Sequence, residues 1–181
     1  MTADSLTDSE LLVLGLVAEM PRHGYELEQV IQQRGMREWT QIGFSSIYFL
    51  LGKLQQKGLI KAEAPAAEKA KKSFSMTTAG KKKLVSQTLT ALKTIRPAHS
   101  SLLMGMIHWP VLTRDQALVA LGSRKKALTM ELERLESIHL EQQPLPDHVD
   151  AMFEFSIGQL RAENEWTANT LDYMATKPWN S

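Results

Sequence analysis

The stretch FSSIYFLLGKLQQKGLI, Phe44 to Ile60, decides the fold. On a helix, successive side chains lie about 100° apart. That spacing gathers Ile47, Leu50, Leu51 and Leu54 on one face. Ser45, Phe49, Gly52 and Gln56 fall opposite, with Ser46 and Lys53 on one flank and Tyr48 and Gln55 on the other. A helix is expected over about Ser45–Lys57, stopped by Gly58. Its leucines need cover from neighbouring elements, and its polar side is left for something else.

The cover lies upstream. Thr7-Asp-Ser-Glu10 is a capping box, and LLVLGLVAEM continues it as a buried helix to about Met20. Pro21-Arg-His-Gly24 breaks that helix. YELEQVIQQR, Tyr25–Arg34, carries Leu27, Val30 and Ile31 at helical spacing, and Gly35 is a natural stop. MREWTQIG (36–43) reads as a connecting turn. Downstream, LIKAEA (59–64) and KSFSMT (72–77) alternate in the manner of strands, around the basic loop PAAEKAKK (65–72). Thr77 or Thr78 then caps a helix, AGKKKLVSQTLTALKTIR, ending at Pro97. Three helices and a hairpin with a basic tip are the order of a winged helix-turn-helix. In that arrangement the polar side of the third helix lies in a DNA major groove, which admits one α-helix.

Composition agrees with a soluble, ordered chain. Of 181 residues, 43% are apolar and 23% charged, and there is no cysteine. Disulfides and thiolate metal sites are therefore excluded, as suits a reducing cytoplasm. The N-terminus MTADSLTDSE is too acidic and polar for a secretory signal, and no apolar run approaches a membrane span. The net charge of +1 is unevenly placed: residues 1–96 hold fourteen Lys/Arg against nine Asp/Glu, and residues 97–181 hold seven against eleven. A basic first half is expected to face a polyanion.

The second half is helical throughout. SSLLMGMIHW (100–109) is a short apolar helix stopped by Pro110, and Thr113-Arg-Asp-Gln116 is a second capping box. A long helix follows to about Gln142, with a bend allowed near Gly122. After Pro144 and Pro146 a last helix runs from about Asp147 to Met174. The broad apolar faces of this pair suit dimerisation. The residues expected at the seam are Leu128, Leu132, Leu135, Phe153, Ile157, Leu160, Trp166 and Leu171. The alternative is an intrachain cover for the winged helix alone. The fold class is thus mainly α with a small β-hairpin wing. Residues 1–96 form a DNA-binding domain and residues 97–181 a helical dimerisation domain that can also hold an effector.

In these motifs the chain resembles the PadR family of bacterial transcriptional regulators. LLVLGLVAEMPRHGYELEQVI, with His23-Gly24-Tyr25-Glu26, is similar to the family's first two helices. FSSIYFLLGKLQQKGLI resembles its recognition helix, and KKSFSMTTAGKKKL its second wing strand and the Thr-x-x-Gly start of the next helix. The resemblance spans about residues 6–84. It implies a winged helix-turn-helix regulator, a repressor in its usual sense. Family members usually carry proline after the recognition-helix tyrosine, where this chain has Phe49. That side chain either meets a thymine methyl or folds against Tyr48 or the partner. The wing strand has Phe74 and Met76 in place of the common Tyr and Leu.

The candidate DNA contacts are Ser45, Ser46, Tyr48, Phe49 and Lys53 on the third helix, with Thr40 and Gln41 just before it. Tyr25, with its hydroxyl toward a phosphate, and Lys69, Lys71 and Lys72 in the wing complete the set. Capping explains the serines equally well, and core packing with a wet tip explains Tyr25. Lys81, Lys82 and Lys83 read as a solvated face with a long-range role, and His23 as a residue that positions its turn. Trp39, Trp109, Trp166 and Trp179, with Met104, Met106 and Met152, raise a pocket for a small aromatic effector, against the plainer reading of core packing. No catalytic constellation is present: His99, His108, His139 and His148 have no paired spacing, and Asp147 and Asp150 suit a helix N-terminus. The expectation is a cytoplasmic, homodimeric regulator that binds double-stranded DNA at an inverted repeat. It is expected to need no cofactor or metal, to touch no membrane and to perform no catalysis. The other class considered is a winged-helix protein–protein adaptor that has lost DNA.

Overall fold

The N-terminal capping box forms as the sequence requires. In the computed structural model, which describes residues 5–38, 40, 42–43, 46–63, 72–95 and 100–176, Thr7 Oγ1 accepts from the Glu10 N–H at 3.2 Å. Glu10 Oε2 accepts from the Thr7 N–H at 2.8 Å. This starts α1 (Asp8–Glu19), whose Val13, Leu14, Leu16 and Val17 are buried. Next come α2 (Gly24–Gln33) and α3 (Ser46–Gln56), joined by a 3-10 turn at Met36–Glu38. Leu27 and Ile31 of α2 and Ile47, Leu50, Leu51 and Leu54 of α3 meet α1 in one core. At the end of α3 the chain turns through Gly58 at φ +67°. There the Leu59 N–H donates to the Leu54 carbonyl at 3.0 Å and the Gly58 N–H to the Gln55 carbonyl at 2.9 Å. This is the paired-bond helix stop that favours glycine.

The wing strands are β2 (Ile60–Glu63) and β3 (Ser73–Met76), paired antiparallel with Ile60 opposite Met76 and Glu63 opposite Ser73. The sheet has a third strand that the sequence reading took only as a helix break: β1 (Arg22–His23) pairs with β3, giving the order β1-β3-β2. Two residues carry too little periodicity to announce a strand; distant pairing makes it one. Thr77 then caps α4 (Thr78–Lys93), accepting from the Gly80 N–H at 3.0 Å and donating to the Gly58 carbonyl at 2.7 Å.

The chain divides into two units, Met1–Pro97 and Ala98–Ser181. The second consists of α5 (Ser101–Ile107), a 3-10 turn at Trp109–Val111, α6 (Arg114–Glu141) and α7 (Asp147–Thr176). The second capping box forms between Thr113 and Gln116. The helix α6 runs through Gly122 without interruption. At the hairpin end of this pair, His139 Nε2 lies 2.6 Å from Asp150 Oδ1, and its ring stacks on Phe153 with centroids 4.9 Å apart. No helix among the described residues is long and apolar enough to cross a membrane.

Candidate nucleic-acid interface

The wheel drawn from the sequence separates α3 correctly into two sides. Its core side is sealed, with Ile47, Leu51 and Leu54 at 1%, 1% and 0% exposure. Tyr48 and Phe49 stand out on the other side at 61% and 65%. The Tyr48 ring rests on the start of α2: a Cβ added at Gly24 would lie 2.5 Å from its Cε1. That contact ties Gly24 of the His-Gly-Tyr motif to α3. Tyr25, beside it, is exposed. Ser46 opens α3, half-buried, its N–H donating to the Gly43 carbonyl at 3.1 Å. Thr40 is half-buried, and its hydroxyl donates to the Met36 carbonyl at 3.0 Å, so its proton is already placed. Lys72, at the mouth of the wing, is exposed. Gln41, Ser45, Lys69 and Lys71 lie outside the described residues.

Lys53, a candidate DNA contact, also has neighbours within its own chain. Its ammonium lies 3.9 Å from Glu10 Oε1 and 5.3 Å from the centroid of the Phe49 ring. Lys57, one turn on, reaches the same Glu10 oxygen at 2.7 Å. Glu10 therefore does more than cap α1: it is a buried carboxylate holding two lysines of α3. Burial alone would push its carboxyl upward. The Lys57 hydrogen bond, the Thr7 backbone and the two lysine charges outweigh that, and hold it below the ordinary 4.5. The sequence signal for this was present. A carboxylate in the first turn of an otherwise apolar helix is drawn inward with it, and a buried charge needs a partner. Other acids of the unit are paired as well: Glu19 with Arg22 and Arg34, Glu28 with Arg37, Glu63 with Lys61. The surplus positive charge is left to exposed residues such as Lys72, Lys81 and Lys82.

The residues expected at a dimer seam lie as follows within one chain. Leu128, Leu135, Phe153 and Ile157 are buried between α6 and α7 of one chain. Leu132 and Leu160 are half-buried. Trp166 and Leu171 pack on the cluster of Ala117, Leu121 and Met174, and so does Trp109. The pairing of α6 with α7 uses this stripe. A second stripe on α7, at the same alternation of threes and fours, leaves Met152, Phe155 and Tyr173 exposed, with Gln159, Ala162 and Asn169 between them; Trp166 falls on this stripe too, half-buried against the intrachain cluster. Of the aromatics and methionines considered for an effector pocket, Trp109 and Trp166 are packing residues, and Met104 and Met152 are exposed. Met106 is half-buried, and Trp39 and Trp179 lie outside the described residues.

A three-helix core with a small sheet, an outward-facing α3 and a following antiparallel helical pair define a winged helix-turn-helix protein with a helical appendage. Residues 13–86 match the transcriptional regulator PadR-like family. The matched residues hold α3, both wing strands and most of α1, so over this part the chain is similar to that family. Solved structures share the fold. Bacillus subtilis PadR in complex with operator DNA superposes with a TM-score of 0.74 at 17% identity, over 93% of this chain and 99% of that one. The same protein in complex with p-coumaric acid gives 0.74 at 18%, over 92% and 98%. The PadR-like regulator BC1756 from Bacillus cereus gives 0.67 at 17%, over 94% and 100%. No curated protein matches the chain in sequence.

Proposed function

We propose that the protein is a homodimeric, cytoplasmic repressor that binds an inverted-repeat operator through α3 and the wing. The observation that carries this reading is the two-sidedness of α3. One face is sealed in the core while Tyr48 and Phe49 stand exposed beside Ser46 and Lys53. A recognition helix meets base edges with its N-terminal residues, and Ser46, Tyr48 and Phe49 lie in the first turn of α3. Tyr25 and Lys72 would take phosphates on either side. Ser45, Gln41, Lys69 and Lys71 belong to the same proposed surface by sequence position. In this reading residues 1–96 grip DNA, and residues 97–181 join two chains so that two α3 helices stand about 34 Å apart, one turn of duplex. A phenolic acid is the effector class favoured by the Bacillus subtilis PadR complex with p-coumaric acid.

The test is fluorescence anisotropy with labelled genomic duplex fragments over a salt series. DNA binding predicts a log–log decline with salt, and Lys72→Ala should flatten the slope by roughly one charge. A flat salt response would favour the protein–protein adaptor instead. Added p-coumaric acid should release bound duplex; unchanged anisotropy at saturating acid removes that effector.

A further inference from the structure

We propose that Phe49 reads a thymine in each half-site through the 5-methyl group. This rests on the reading that α3 enters the major groove. Phe49 is 65% exposed on the side of α3 opposite Leu50, Leu51 and Leu54, and it ends the helix's first turn. An aromatic left this bare is costly in water and calls for an apolar surface to meet. Its ring has a cation beside it. The Lys53 ammonium stands over one face at 5.3 Å, and that ammonium is itself held 3.9 Å from the buried Glu10 carboxylate. A cation over a ring face attracts it electrostatically, so Lys53 favours this position of the ring, with its other side left outward.

What can meet that side follows from the groove's chemistry. Adenine and guanine present acceptors or donors at their major-groove edges, and cytosine presents an amine. Thymine alone adds a methyl group, the apolar surface on which phenylalanine packs. The positive charge behind the ring favours a nucleic-acid occupant over an apolar protein surface, because Lys53 and Lys57 would have to be stripped of water against the latter. Phe49 is therefore a specificity residue, and Lys53 and Glu10 position it.

The experiment selects duplexes from a randomised pool with the full-length chain and with Phe49→Ala, whose helical circular dichroism should match because the side chain is exposed. The wild-type chain should enrich sites with one invariant thymine per half-site; Phe49→Ala should enrich the same sites with that position relaxed. Replacing this thymine by deoxyuridine removes only the methyl. It should weaken the wild-type chain about fourfold, the worth of one buried methyl group, and leave Phe49→Ala unchanged. Identical consensus sites for the two chains, or equal affinity for thymine and deoxyuridine, would overturn the assignment while leaving DNA binding intact. A pool in which neither chain enriches any duplex would overturn the DNA-binding reading itself.

Discussion

Glu10 joins three jobs that usually fall to separate residues. It caps α1 through Thr7, it is sealed in the core at 1% exposure, and it receives Lys57 and Lys53 from α3. The carboxylate thus ties α3 to α1. Its pKa lies below the ordinary 4.5. A depressed acid stabilises the fold fully above its unfolded value, and that contribution is lost as pH falls through the folded value. Glu10→Gln keeps an acceptor for the Thr7 N–H but discards the charge. It should cost about 1–3 kcal/mol at neutral pH, the worth of a hydrogen bond to a charged group. Urea titrations at pH 7 and pH 4 should find the deficit shrinking at the lower pH, since the wild-type carboxyl is losing its advantage there. Equal deficits at both values would show that the charge is not what stabilises the site.

At the scale of elements, what the sequence made legible was whatever depends on local geometry. The two faces of α3, both Thr capping boxes and the glycine stop after α3 follow from neighbours within a turn or two. Contacts made across the chain were hidden. β1 is two residues whose partners, Phe74 and Ser73, lie in the wing. Lys57 drew no notice because its acid sits in α1. Gly80 shows how tightly such distant elements meet. Thr77 starts α4 against the end of α3, and a Cβ at Gly80 would fall 2.0 Å from the Leu59 carbonyl oxygen and 2.5 Å from the Met76 sulfur. The methionine can move, but the backbone oxygen is fixed by its bond from the Thr77 N–H at 3.1 Å. Gly80→Ala should therefore destabilise by about 1–3 kcal/mol through overpacking, read as a lowered urea midpoint. A midpoint equal to wild type would mean that α4 can slide without cost.

For the molecule as a whole, the open question is the dimer seam. α7 carries two stripes of the same spacing, and spacing alone cannot say which belongs to α6 and which to another chain. Phe153 and Ile157 went to α6; Met152, Phe155 and Tyr173 are left outward. Large apolar side chains at coiled-coil spacing are suited to a second copy of the same helix. The polar Gln159 and Asn169 between them suit the same role, since a polar residue in such a seam specifies register at some cost in stability. The two stripes therefore predict opposite outcomes for the same change of chemistry. Phe155→Glu, at 66% exposure, should leave helix content and urea midpoint near wild type but yield a monomer by sedimentation velocity. Phe153→Glu, at 5% exposure and stacked on His139, should instead unfold the α6–α7 pair. In the Phe155→Glu monomer only one recognition helix can engage an operator at a time, so the salt slope of DNA binding should fall to roughly half. A Phe155→Glu chain that still sediments as a dimer would move the seam elsewhere. The candidate in that case is the exposed Val119 and Met130 on the outer side of α6.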